Sequence, residues 1–308
     1  MISAEAIGRL PEIGAGDDLA ALIAPHVLDG DVVVVAHKVI SKAEGRVVAL
    51  ADVTPSDEAQ RLAAEHGKDP RHVQAILDES DSIVRSRPGV LICRTRHGFV
   101  CANAGVDTSN APDGALVLLP LDPDASARRL RAALGTRCAV VIADSFGRAW
   151  RVGQVEAAIG VAGLQVLDDW RGRMDRAGME LVATEIAIAD QAAAAADLAR
   201  TGKDAGEPVV LVRGLERFVT DDDGPGAAEL IRARDEDLFL VEVELDTAPR
   251  TVEVPDDLAQ AIAGAGLQEQ WDKLSFTHRK EHVRAVEEAK KAETRQRRIA
   301  KALEMLRA

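Results

Sequence analysis

The sequence predicts a mixed α/β fold of the α+β kind, with a small helical appendage at its C-terminal end. Three observations predict it. Short β-branched runs recur at 31–36, 89–94, 115–121, 138–144 and 208–213, each so continuously apolar that both faces must be covered. Helical stretches at 17–25, at 57–66 leading on to 79, at 126–134 and at 188–200 lie between several of these runs. The composition then changes: residues 251–308 carry 11 Lys and Arg against 10 Asp and Glu, whereas residues 1–250 carry 27 against 41.

Residues 91–95 and 99–102, joined through Arg96, His97 and Gly98, read as an antiparallel hairpin, so the sheet is not purely parallel. An acidic, glycine-containing loop at 221–226 ends the alternation before a short helix expected at 227–234. A boundary is expected over 240–249, separating a domain at 1–245 from a tail at 250–308. In that tail 250–255 reads as a strand, a helix begins at 256, and a charged helical end covers 277–307. Val283, Val286, Ile299, Leu303 and Leu306 recur there at helical spacing and form one apolar stripe.

Composition excludes several classes. Of the 308 residues 47% are hydrophobic but only 3% aromatic, with no Tyr, so the core is aliphatic. A net charge of −13 argues against a general nucleic-acid binder, which needs a basic surface for backbone phosphates. Cys93, Cys101 and Cys138 have no C-x-x-C spacing and make neither a disulfide framework nor a zinc site, as suits a reducing compartment. The N-terminus lacks a basic segment followed by an apolar stretch, and no apolar run approaches the ~20 residues of a spanning helix. The expectation is a cytoplasmic protein with no membrane contact. There is no P-loop, no G-x-G-x-x-G, no G-x-S-x-G and no H-E-x-x-H. His278 and His282 stand one helical turn apart, but among Lys and Arg that would repel a metal ion.

Three segments carry candidate chemistry. Residues 103–110 (NAGVDTSN) gather an acid, two hydroxyls and two amides around a glycine; Asp107 can hold Mg²⁺ or Mn²⁺, or the stretch is an Asx-rich turn satisfying its own backbone. Asp144 and Ser145 end the apolar run at 138–143, where α/β sheets bind ligands, and form a hard-metal pair, or else an ordinary strand-to-turn acid. Arg148 and Arg151 follow with guanidinium forks suited to phosphate or carboxylate. Residues 37–46, directly after the run at 31–36, alternate cations with small residues and can cradle polyphosphate, or make a solvated basic turn. Acids on separate elements with cations nearby suit metal-assisted phosphoryl transfer.

Together these segments resemble the coenzyme F420:L-glutamate ligase family, also called F420-0:gamma-glutamyl ligase. The resemblance starts at 8–13 (GRLPEI) and 16–19 (GDDL) and runs through 39–46 (VISKAEGR), 103–110, 118–127 (LLPLDPDASA) and 143–154 (ADSFGRAWRVGQ). It continues past 168–170 (DDW) to 209–214 (VVLVRG), covering about residues 1–240. It implies a gamma-glutamyl ligase-like fold without a P-loop and a homodimer. The implied reaction is GTP-dependent, GDP-forming addition of L-glutamate to the terminal carboxylate of F420-0, through an acyl phosphate. The cations are Mg²⁺ or Mn²⁺, with K⁺ as a further one. By matching motifs, the resemblance implies that Asp107 and Asp144 hold metal and that Ser145 approaches a second metal. GTP would meet Leu10, Pro11, Glu12, Ile13, His37, Lys42, Asn110 and the turn with Lys203, Asp204 and Glu207. Our own addition is that Arg148 and Arg151 act catalytically on the anionic reactants.

Four positions depart from the family pattern. His37 stands where Ser is frequent, Ser145 where Thr is common, Lys203 where some members carry a metal-binding Glu, and Gln191 where an acid is frequent. These departures keep two other readings open, a paralogue joining an amino acid to another small carboxylate and a nucleotide-binding regulatory protein without turnover. The tail, through 252–262 and 274–306, resembles the bacteriocin-protection or OmpD-associated family, which implies helices but no reaction.

Overall fold

Strand β2 (Val32–Ala36) shows how a run of valines becomes the middle of a sheet. Successive side chains point to opposite faces; Val33 and Val35 enter one core, and Val32 and Val34 the other. Strand β8 (Ala139–Arg148) divides likewise, Val140 and Ile142 on the first side and Ala139, Val141 and Ala143 on the second. With β1 (Ser3–Ala6), β9 (Arg151–Ala162) and β12 (Val209–Arg213) they form a five-stranded sheet in the spatial order β1–β12–β2–β8–β9. Only the β2–β8 pair is parallel; the other three pairings are antiparallel.

The computed structural model describes residues 1–237, 252–274, 276–287, 289 and 292–307, and the chain divides into two units, Met1–Val243 and Glu244–Ala308. In the first unit, helices α1 (Leu19–Ile23) and α5 (Pro123–Leu134) cover one face of the sheet through Leu19, Ile23, Ala127, Leu130 and Leu134. Each starts where a carboxylate accepts a free backbone N–H, Asp18 from Ala21 and Asp122 from Ala125. Helix α6 (Ile188–Ala199) covers the other face with Ile188, Ala189, Ala192, Ala193 and Ala196. Gly160 in β9 permits the close seat of α5, because a Cβ there would lie 2.4 Å from the Pro123 carbonyl oxygen.

Helix α2 (His37–Ala43) follows β2 directly. Strands β3 (Val47–Ala49) and β7 (Ala115–Val117) pair with each other, as do β10 (Leu167–Asp169) and β11 (Glu185–Ala187). Helices α3 (Asp57–His66) and α4 (Pro70–Asp78) precede an antiparallel sheet of β4 (Ser80–Arg87), β5 (Val90–Thr95) and β6 (Val100–Ala102), which contains the expected hairpin. The second unit is helical, with α7 (Asp256–Gly264), α8 (Gln268–Lys273), α9 (Phe276–Glu287) and α10 (Ala292–Arg307). Its core includes Leu258, Ile262, Trp271, Val283, Val286 and Leu306, with Ile299 and Leu303 packed against it, so the predicted apolar stripe faces inward.

Several expectations are corrected. The helical stretch from 57 to 79 is two helices, because Gly67 takes a left-handed φ of 62° and ends α3. Residues 37–43 are helical rather than a turn, and His37, Ser41 and Lys42 are buried. The run at 115–121 pairs only at Ala115–Val117, although Leu118 and Leu119 stay buried. Strand β8 continues through Asp144 and Ser145 to Arg148 because β9 supplies a partner along that length. The helix expected at 227–234 is a 3-10 turn at Ala227–Leu230, pinned where Asp124 accepts the Ala227 N–H, and the chain is extended at Ile231. Residues 252–255 form no strand; 250–251 and the boundary at 240–249 lie outside the described residues. The charged end is two helices, α9 and α10.

Candidate active site

Topology brings distant segments to one edge of the main sheet. Strands β2 and β8 run parallel with Ala36 opposite Ala143, so the residues that follow, His37 and Asp144, emerge side by side. Strand β12 runs antiparallel to β2, and the turn before it therefore arrives at the same edge, where the Ala36 N–H donates to the Pro208 carbonyl at 2.8 Å. Strand β1 is antiparallel to β12, which sends residues 7–13 there as well; the Leu10 N–H donates to the Gly206 carbonyl at 2.9 Å. The edge opens into a cavity of about 700 Å³, within the usual range for ligand sites.

Most of the residues singled out from the sequence line this cavity. Leu10, Pro11, Glu12 and Ile13 form one border, and His37 and Lys42 project from α2. Asp107, Asn110, Asp144 and Ser145 also line it, and Lys203, Asp204 and Glu207 come from the turn before β12. Arg148 and Arg151 are not in the lining. They are exposed at the β8–β9 connection, where Arg148 donates to the Val152 carbonyl at 2.7 Å. Gln191 lines a separate, smaller depression with Asp168 and Trp170.

The two aspartates are held differently. The Asp144 Oδ1 accepts the Ser145 N–H at 2.8 Å and lies 3.3 Å from His37 Nε2. Burial pushes its carboxyl up, but His37, the Ser145 amide and the Lys38 charge outweigh burial and hold it below the ordinary carboxylate range. Asp107 Oδ2 accepts from Lys38 Nζ at 2.5 Å and from the Ser109 hydroxyl at 2.7 Å, and its Oδ1 accepts the Ser109 N–H at 2.8 Å. Burial again pushes upward, and the hydrogen bonds of Lys38 and Ser109 bring this carboxyl down to about 2. Lys42, almost wholly buried, donates to Glu12 at 2.5 Å.

Glu156 is the functional candidate that sequence reasoning passed over. It lies opposite Ser145 in the β8–β9 ladder, its side chain is 4% exposed, and its Oε1 accepts from the Ser145 hydroxyl at 2.7 Å and from Lys203 Nζ at 3.0 Å. Its Oε2 is buried and has no hydrogen-bond partner among the described residues. The available signal was one charge in the otherwise apolar stretch 155–162, which no bulk solvent would repay in a covered strand. Lys38, Arg9 and Arg200 also line the cavity and add positive charge to it.

A metal-ion fit can be judged from these donors. Among the described residues no group of three or more His, Cys, Asp or Glu converges as an all-protein cage. Mg²⁺ and Mn²⁺ do not need one, since they take hard oxygen donors, and Mg²⁺ typically uses one or two carboxylates with waters and substrate phosphates. Asp107, Asp144 and Ser145 in one cavity meet that requirement. No helix among the described residues is long and apolar enough to cross a membrane.

Comparison with known proteins gives two matches within the chain. The family described as F420-0:Gamma-glutamyl ligase matches residues 8–214. The family described as Bacteriocin-protection, YdeI or OmpD-Associated matches residues 251–308. Curated relatives include the coenzyme F420:L-glutamate ligase of Methanothermobacter thermautotrophicus, 44% identical over 249 residues, which are 77% of this chain and 98% of that protein. Proteins of the same name from Methanopyrus kandleri and Halobacterium salinarum are 46% and 45% identical over 235 and 240 residues. Those alignments span 74% and 75% of this chain, and 93% of each relative.

Proposed function

Because the chain belongs to the F420-0:gamma-glutamyl ligase family, we propose that it joins L-glutamate to the terminal carboxylate of F420-0 at the expense of GTP, forming GDP. The activity is assigned to residues 1–245 in the cytoplasm, with 250–308 a separate tail of the bacteriocin-protection or OmpD-associated kind. The observation that carries this reading is the convergence of acids, two hydroxyls and five cationic side chains on one cavity, since every reactant is an anion.

In the proposed sequence an oxygen of the F420-0 carboxylate attacks the γ-phosphorus, the bond to the GDP oxygen breaks, and an acyl phosphate forms. The amine of L-glutamate then attacks the acyl carbon; the amide bond forms, inorganic phosphate leaves with the bonding pair, and an amine proton is lost. Asp107 and Asp144 would hold Mg²⁺ or Mn²⁺, which would supply charge neutralisation at the phosphates; Ser145, expected at a second ion, is bonded to Glu156 and Lys203 instead. Lys38 orients Asp107, and His37 orients Asp144 and stands where phosphate oxygens approach. Lys42, Arg9 and Arg200 offer donors to the nucleotide, beside Leu10 to Ile13, Asn110, Asp204 and Glu207. K⁺ as a further cation would join the anionic oxygens of the reactants.

A homodimer completes the proposal. Its support is a set of exposed apolar side chains, Val152 at the start of β9 and Met174, Met179 and Val182 on the arm between β10 and β11. The test of the activity is mass spectrometry of protein incubated with F420-0, GTP, L-glutamate and Mg²⁺ or Mn²⁺. Products heavier by glutamyl units and absent with Asp144→Ala are expected. GTP binding without product under either metal would favour a diverged paralogue or a regulator instead.

A further inference from the structure

Three oxygens at one end of the cavity surround a single point. They are Ser145 Oγ from β8, Glu156 Oε1 from β9 and Asp197 Oδ1 from α6, three elements of the rigid framework. The point is filled by the ammonium of Lys203, with Nζ 2.8, 3.0 and 3.2 Å from them. Two different kinds of element therefore meet. The acidic shell is built into the sheet and helix, with Glu156 almost wholly buried, while the cation arrives on a long side chain that is 66% exposed, from the turn before β12. Arg200 also faces the shell, 3.5 Å from Glu156 and 3.6 Å from Asp197, but its direct bond is to the Pro208 carbonyl. Glu156 Oε2, buried and without a partner among the described residues, leaves the shell with acceptor capacity that one ammonium does not use.

We propose that Lys203 is a tethered cation that occupies the position beside Ser145 and Glu156, so that a divalent ion is not bound there. The inference rests on the reading of this cavity as a divalent-cation site. An ammonium is a compact point charge with three donors, and three oxygens near 3 Å satisfy it. A divalent ion entering the same shell would meet Lys203 and Arg200 at close range, and must displace the first of them. Removing the ammonium exposes two carboxylates and a hydroxyl, hard donors of the kind that Mn²⁺ accepts.

The experiment is a Mn²⁺ titration of the full chain without nucleotide, read by electron paramagnetic resonance of the free ion. It compares the unaltered protein, Glu156→Gln, Lys203→Met and the double variant Lys203→Met with Glu156→Gln. Lys203→Met is expected to bind one more Mn²⁺ per chain, and the double variant to lose that ion again. Lys203→Gln, smaller and polar, provides the same comparison should the Met variant misfold, as judged by circular dichroism. An unchanged count on removing Lys203, or an ion in the unaltered protein that Glu156→Gln abolishes, would overturn the proposal. The ligase reading fails separately: a gained ion without any glutamylated product sinks that reading alone, and product with an unchanged ion count sinks this one alone.

Discussion

Asp144 lies inside a ten-residue strand, paired with β9 on one side and beside β2 on the other, whereas Asp107 lies in a stretch where Asn103, Ala104 and Asn110 all take left-handed φ angles. Both aspartates reach the same cavity. In the strand, position comes from the hydrogen-bonded ladder and from apolar neighbours such as Ile142, so the carboxylate is aimed by the core itself. In the turn, Asp107 makes an isolated antiparallel bridge with Val117, and the carboxylate is aimed by Lys38 and Ser109. A strand thus delivers a charge at the cost of burying it, and a turn delivers one at the cost of a dedicated side-chain partner.

That contrast is open to experiment. Asp144→Asn keeps the shape and removes the charge; turnover should fall about 100- to 1000-fold, the size expected for a preorganised electrostatic group, with some loss of thermal stability because the fold favours the charged carboxyl. Ile142→Ala, two residues earlier in the strand and fully buried, should cost about 2–5 kcal/mol of stability in a denaturant titration. A smaller loss would mean the strand is not what aims Asp144. In the turn, Asn110→Ala should cost about 1 kcal/mol because Ala resists the φ of 55°, and Asn110→Gly should recover the loss.

The charge network of the turn predicts a pH signature. The Asp107 carboxyl is depressed from 3.8 to about 2 in the folded chain, so its contribution to stability is present above 3.8 and is lost as pH falls through about 2. Asp107 is more than a third exposed, and solvent screening holds the contribution under ~1 kcal/mol. Lys38→Met should therefore lower stability slightly near neutral pH and converge with the unaltered protein in strong acid; a gap that persists in acid would assign Lys38 a packing role instead. The smallest effect is expected at Arg148, outside the cavity lining. Arg148→Ala should leave unfolding within ~0.5 kcal/mol and turnover within about twofold. A larger loss of turnover would mean that the β8–β9 connection reaches a cavity after all, and analytical ultracentrifugation of the same variant would show whether a second copy carries it there.

Much of this arrangement is legible along the chain. The runs that became β2 and β12 are marked by unbroken Val and Leu, because strands covered on both faces have no polar side to display. Asp144 is legible for the same reason, as the first acid after an apolar run. Residues 37–43 are less so: a basic stretch after a strand reads equally as a turn, yet it folds as a helix with His37, Ser41 and Lys42 buried. The broken helix at Gly67 and the 3-10 turn at Ala227–Leu230 depend on one backbone angle and one carboxylate from far along the chain, which local pattern does not carry.

Layering and an aliphatic core follow from periodicity, a local property of the chain, and the resemblance of its motifs pointed to the family and to most of the residues around the cavity. Which of those residues meet is a matter of how the strands pair. Parallel pairing of β2 with β8 set His37 against Asp144, and antiparallel pairing of β8 with β9 set Ser145 against Glu156. The same pairings carried Arg148 and Arg151 out to an exposed end and brought Lys203 in to the acids. Register between strands is a long-range choice, fixed by which faces must be buried together.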